Sequence, residues 1–254
     1  MIQGNFALFV FLLLGVGGNV CESFVGVVTT RTRPSVQKSS LDQQTATVLE
    51  LDKKYSETFH LIDECAASGQ PSIELYDAVR YIDKNALRLY PDESAKLQLW
   101  ERAYGSWKLT LATGGGRSTT FKPVPIFAFA MIDDRCFGNG VGLNNGDTII
   151  LSLLGPHYFN AKRRQMGIGI EDVFLFSNNV TQYVPGFVAE GMGLGKSPVD
   201  FSGGALSRMP AFTMIGASDR SLIARGGSGG IAIWTRLEKD IRPAAYGIKG
   251  INNT

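Results

Sequence analysis

Residues 105–113 read Gly-Ser-Trp-Lys-Leu-Thr-Leu-Ala-Thr, and this stretch marks a change in the character of the chain. Trp107, Leu109 and Leu111 alternate with Lys108, Thr110 and Ala112. A period of two gives a strand with one buried and one wetter face. Beyond it the segments stay short, β-branched and aromatic, separated by Gly-rich turns. Strands are expected at 126–132, 148–153, 158–166, 172–176, 181–184, 212–217, 221–225 and 231–237. Asn144-Asn-Gly-Asp147 supplies the turn feeding the second of these. Eight or nine strands without helical interruption predict an antiparallel barrel or sandwich. The barrel is preferred because it leaves no open sheet edge and encloses a cavity.

Upstream of Gly105 the period is that of a helix. Val48, Leu51, Tyr55, Phe59, Ile62 and Ala66 recur at spacings of three and four, and Gly69 and Pro71 end the run. Ser72 is a cap for a second helix carrying Tyr76, Val79, Ile82, Ala86 and Leu89. Pro91 opens a third leading to Trp100. The class is therefore α+β, mainly β, with a helical segment at 41–103, a barrel at 104–240 and a tail at 241–254. Residues 185–210 form a Gly-rich stretch with scattered apolar residues. It reads as a flap over a cavity mouth or as a disordered loop.

The first forty residues read as an address. Phe6 to Val16 is an apolar run, and Cys21 and Ser23 are the small residues before a cut between Ser23 and Phe24. Residues 24–40 are rich in hydroxyls, Arg and Lys, with no acid, which is the composition of a transit peptide. A signal peptide (1–23) followed by a transit peptide (24–40) with Phe first resembles the bipartite presequence of algae whose plastid lies inside the endomembrane system. A secreted chain with an unfolded N-terminus is the alternative.

Charge excludes one class of partner. The chain carries 25 Lys+Arg and 23 Asp+Glu. Removing Arg31, Arg33, Lys38 and Glu22 leaves 22 of each sign, so the body has no net field for nucleic acid. Cys65 and Cys136 are too few for a disulfide framework or a zinc site, and no metal ligand set is expected. His60 and His157 have no nucleophile motif beside them, so no catalytic residue is nominated. Gly191-Met-Gly-Leu-Gly-Lys-Ser197 lacks the first glycine of a phosphate loop, that place being Glu190.

Gly105 and Trp107 in the first strand, with Trp234 and Arg236 in the last, resemble the lipocalin signature. The resemblance implies that Trp107 plugs the closed end of the barrel and that Arg236 lies across its indole. Together with Arg225, Gly226 and Gly229 in the last hairpin, these residues resemble the plastid lipid-associated proteins, or plastid fibrillins, over about Val48 to Leu237. That family implies a protein of thylakoids or plastoglobules that binds or organises a quinone, carotenoid, tocopherol or acyl lipid, with no required cofactor. Trp107, Leu109, Leu111, Phe127, Phe129, Phe174 and Phe176 are expected to line the cavity. Two alternatives stand beside this. One is a scaffold attached to thylakoids or a photosynthetic complex. The other is a barrel-type enzyme such as a tetrapyrrole lyase, using Arg225 or Glu171.

Overall fold

The computed structural model describes residues 41–115, 118–195 and 210–241. The two presequence segments with their Ser23–Phe24 junction, positions 196–209 of the expected flap and 242–254 of the tail lie outside the described residues. Four helices come first: α1 (Leu41–Ser68), α2 (Leu75–Lys84), α3 (Ala86–Leu89) and α4 (Glu93–Arg102). Asp92 caps α4 by accepting from the Ala95 amide at 2.8 Å. Gly69, at φ +66°, turns the chain out of α1.

Twelve strands follow in a single antiparallel sheet. They are β1 (Gly105–Ala112), β2 (Lys122–Pro123), β3 (Phe127–Ile132), β4 (Phe137–Leu143), β5 (Thr148–Gly155) and β6 (His157–Asn160). Then come β7 (Gln165–Ile168), β8 (Asp172–Leu175), β9 (Asn178–Asn179), β10 (Ala211–Ala217), β11 (Ser221–Gly226) and β12 (Ile231–Arg236). The hydrogen-bonded path runs β6-β7-β10-β11-β12-β1-β3-β4-β5-β8-β9, with β2 beside β1. Its two ends belong to the same strands. Only Pro156 separates β5 from β6, and only Gly169–Glu171 separates β7 from β8. Backbone bonds from Gly169 N to Pro156 O and from Glu171 N to Leu154 O, both 2.9 Å, carry the ladder round that corner. A Cβ on Gly155 would overlap the Gly169 carbonyl, so glycine is what lets the two bent strands touch. Counting each bent strand once, and leaving out β2 and β9, eight strands follow one another round a closed barrel. This is the up-and-down architecture that lipocalins share.

Both faces of the wall are buried over much of the circumference. Inside lie Trp107, Ile132, Phe137, Leu153, Phe212 and Met214, among others. Outside, α1 and α2 pack Phe59, Ile62, Val79 and Ile82 against Leu111, Ile215, Ile223 and Ile233. Leu111 reaches that outer face because Thr110 is an extra residue, the β1–β12 register shifting between Leu109 and Leu111.

Several expectations need correction. Ser72 does not cap α2, which follows Glu74 without a side-chain cap, and Pro91 precedes α4 rather than opening it. Residues 158–166 are not one strand. They form the β6–β7 hairpin, turned by the Asn160 side chain accepting from Arg163 N at 3.1 Å and by Arg164 at φ +53°. Residues 181–184 hold a 3₁₀ turn (Thr181–Tyr183). Strand β4 was not legible, because glycines at 138, 140 and 142 are poor strand formers. Within the expected flap, Gly186–Met192 is a helix, α5, whose Met192 is buried.

Candidate functional site: the barrel interior and its closed end

The closed end is built round Trp107, whose side chain is wholly buried. Its indole Nε1 donates to the Ala103 carbonyl at 2.8 Å. The Arg236 guanidinium carbon lies 4.0 Å from the centre of the indole ring. Arg236 also donates from Nη1 to Tyr104 O at 2.7 Å, from Nη2 to Arg102 O at 2.8 Å and from Nε to Asp219 O at 2.8 Å. Two of these carbonyls lie at or just beyond the C-terminus of α4, where free carbonyls and the helix dipole favour a cation. The Trp–Arg pair thus fastens α4 across the barrel end. Burial pushes the Arg236 pKa down from its ordinary value. Gly105 makes room for this: at φ +126°, its Cβ would stand 2.5 Å from Arg236 Nη1.

A second aromatic layer rests on α4. Trp100 stacks on Phe159 with ring centres 4.8 Å apart and planes at 7°. The His157 ring meets the same indole edge-on at 5.0 Å. His157 Nε2 lies 2.6 Å from the Asp133 carbonyl, which can only accept, so Nε2 carries the hydrogen. Burial lowers the His157 pKa from its ordinary value, and that hydrogen bond opposes the shift.

Below the plug is a cavity of about 30 Å³, bounded by Ile132, Phe137, Met166, Phe212, Met214 and Trp234, among others. Asn139 is its one polar wall residue; its Oδ1 is buried and has no hydrogen-bond partner among the described residues. A preformed pocket for a drug-sized ligand measures roughly 300–1,000 Å³. A terpenoid tail therefore does not fit without movement of the wall.

The expected lining is largely displaced. Of the seven residues, Phe129 is among those bounding the cavity, although its ring lies over Gly140 in an outer cluster. Trp107 is the plug, and Leu109 is half-buried opposite Trp234. Leu111 faces α1 and α2, and Phe127 and Phe129 pack with Ile241 in an outer cluster. Phe174 packs outside with Met131 and Leu154. Phe176 is 57% exposed at the tip of the β8–β9 hairpin. The strand face was inverted at β3 and β8. The large residues of Phe127-Ala-Phe-Ala-Met131 point outward over the glycines of β4, in register Phe127–Gly142, Phe129–Gly140 and Met131–Gly138. Ala130 and Ile132 belong to the interior cluster instead, beside Trp107 and Phe137. A small barrel already filled by those aromatics has room for alanine on β3. Residues 237–241 cover the outer face there, Ile241 N bonding to Ser106 Oγ at 2.9 Å.

Arg225 lies on the outer face of β11 and bonds Asp83 of α2 at 2.5 Å. Glu171 is exposed at the barrel corner. Arg225, Gly226 and Gly229 do sit in one hairpin, where Gly226 N bonds Gly230 O and Gly229 N bonds Gly226 O, both at 2.9 Å. No group of three or more His, Cys, Asp or Glu able to hold a metal occurs among the described residues. No helix among them is long and apolar enough to cross a membrane, which says nothing about strands.

No family description matches the chain, and no curated protein matches it in sequence. Among solved structures, a lipocalin-like protein from Bacteroides uniformis shares 14% identity at TM-score 0.33, covering 54% of this chain and 99% of its own. An uncharacterized protein from Bacteroides eggerthii shares 12% at TM-score 0.34, covering 53% and 98%. The fold assignment rests on the strand order itself.

Proposed function

We propose that this protein holds a small, mainly apolar molecule in its barrel, taking it up by repacking the wall rather than into a preformed pocket. The observation that carries the reading is the apolar cavity with Met166 and Met214 in its wall. Methionine is unbranched and polarizable, so it changes rotamer at little cost and opens a small void into a larger one. Each Å² of apolar ligand surface removed from water then contributes about 25 cal/mol. Leu109 and Trp234, paired across β1 and β12 and both half-buried, give the inner wall a side that solvent reaches.

In the finer form of the proposal the molecule is a quinone, carotenoid, tocopherol or acyl lipid. The protein acts in the plastid of an alga, at thylakoids or plastoglobules, without chemistry of its own and without a required cofactor. The support for this is the composition of residues 1–40 and the residue pattern of the first and last strands. Purified full-length protein extracted with organic solvent is expected to release one such molecule per chain. Recovery of no lipid, quinone or pigment, even after the protein has been incubated with thylakoid lipid extract, would overturn the reading.

A second reading has its own observation. Leu175, Phe176, Tyr183 and Phe187 lie within thirteen residues and are 40%, 57%, 74% and 80% exposed. Phe176 and Ser177 both have positive φ, at a turn where glycine or asparagine is usual. An exposed aromatic in a strained turn suits a scaffold that docks this edge on a lipid surface or a thylakoid complex. An empty protein that sediments with thylakoids, and no longer does so as Phe176→Ser, would favour it.

A further inference from the structure

On the opposite side of the barrel wall from the cavity, three arginines converge on one carboxylate. Asp83, at the end of α2, accepts from Arg225 Nη2 at 2.5 Å. Arg164 Nη2 and Arg80 Nη1 each stand 3.9 Å from the same carboxylate. The side chains of Asp83, Arg164, Arg225 and Arg80 are 14%, 16%, 30% and 40% exposed. Three positive charges thus face one negative charge in a partly desolvated seam between α2 and strands β7, β10 and β11. Among the described residues, Asp83 is the one carboxylate these guanidiniums share.

Arg164 is a non-glycine residue at φ +53°, and in that conformation its Nη1 reaches across to the Met214 carbonyl at 2.8 Å. Beside it on the outer face, Gln165 lies opposite Thr213, and Thr213 opposite Arg225. Gln165 Nε2 is 3.4 Å from Thr213 Oγ1, while its Oε1 is buried without a partner among the described residues. Among the described residues the three guanidiniums share a single carboxylate, so two positive charges are left over in the seam. A guanidinium offers five N–H donors in a planar fork, and the bonds named above use few of them.

We infer that this seam binds a phosphate group, with Arg80, Arg164 and Arg225 as its donors. Hydrogen phosphate or a phosphate monoester presents several acceptor oxygens to the arginines. The site is separate from the barrel interior and stands whether or not the cavity takes a ligand. Its chemistry is common to free phosphate and to a lipid phosphate headgroup.

The test is thermal denaturation of the full-length protein in inorganic phosphate against chloride at equal ionic strength. Saturable stabilisation by phosphate at millimolar concentration, absent in chloride, is the expected result. Arg80→Gln leaves the Arg225–Asp83 bond in place and so leaves the fold intact. It is expected to weaken the phosphate effect about tenfold in Kd, one charge-assisted contact being removed. Asp83→Asn removes the competing carboxylate, and its Kd for phosphate is expected to be tighter even though its starting Tm is lower. Phosphatidate vesicles that compete with phosphate identify a headgroup as the source, and vesicles without effect identify a soluble phosphate compound. Stabilisation equal in phosphate and chloride, or an Arg80→Gln protein with unchanged phosphate affinity, would overturn the assignment.

Discussion

Removing the indole at position 107 tests the closed end of the barrel. Trp107 is wholly buried, donates one hydrogen bond to Ala103 O and lies under Arg236. Truncating such a side chain to alanine costs about 3–5 kcal/mol, of which the Arg236 cation–π contact supplies about 0.5–2 kcal/mol. At about 2–4 °C per kcal/mol for a chain of this size, Trp107→Ala should melt roughly 6–20 °C lower. Trp107→Phe keeps most of the apolar volume but leaves the Ala103 carbonyl unpaired, at a cost of about 1–3 kcal/mol. The stability order is therefore wild type, then Phe, then Ala. A double-mutant cycle with Arg236→Ala separates the plug from its clamp, since residues in contact couple by at least about 0.5 kcal/mol. Additive effects, or a Trp107→Ala melting curve that overlays the wild type, would refute the reasoning.

Gly105→Ala brings a methyl to 2.5 Å from Arg236 Nη1 in a backbone conformation alanine avoids. It should cost about 1–3 kcal/mol in urea denaturation, and a loss below about half a kcal/mol would show that Arg236 does not hold α4 firmly. His157 gives a pH dependence. Its pKa is lowered on folding from the ordinary 6.5, so the unfolded chain holds the proton more tightly. Its contribution is complete above about pH 6.5 and is lost as the pH falls below that value. Wild type should therefore lose stability on acidification more steeply than His157→Phe, and parallel denaturation profiles from pH 7.5 to 5 would contradict this. Deleting Phe24 should stop a fluorescent fusion at the plastid boundary; normal import would remove the ground for the plastid assignment.

The helices and the ends of the barrel were legible because each carries a local signal. The spacing of Tyr55, Phe59, Ile62 and Ala66 defines α1 with no knowledge of its neighbours, and all but Tyr55 prove buried. Gly105, Trp107 and Arg236 could be read together because a cation, an indole and a glycine at two strand ends form a recognisable set. The inner face of the barrel could not. Phe127-Ala-Phe-Ala-Met131 shows the correct period, but period does not say which face is inside when both are covered. The interior was taken by Trp107, Trp234, Phe137 and Phe212, and the outer face by residues as distant as Ile241. Strand β4 was hidden by the glycines that accept the Phe127 and Phe129 rings. The arginine seam adds Arg164 and Arg225 to the local Arg80–Asp83 pair of α2, and these two come together only through the register of β7, β10 and β11.

Ligand uptake inside the wall is tested most directly by filling the space it would use. Ala224 borders the cavity and is 2% exposed. Ala224→Val adds two methyl groups to a void of about 30 Å³, so the variant should melt within a few degrees of the wild type. Titration with a prenylated quinol, followed by quenching of Trp234, should show saturable one-to-one binding to the wild type and at least tenfold weaker binding to Ala224→Val. Equal affinity in the two proteins would place the ligand outside the barrel, and no saturable quenching in either would leave the barrel a solid structural body.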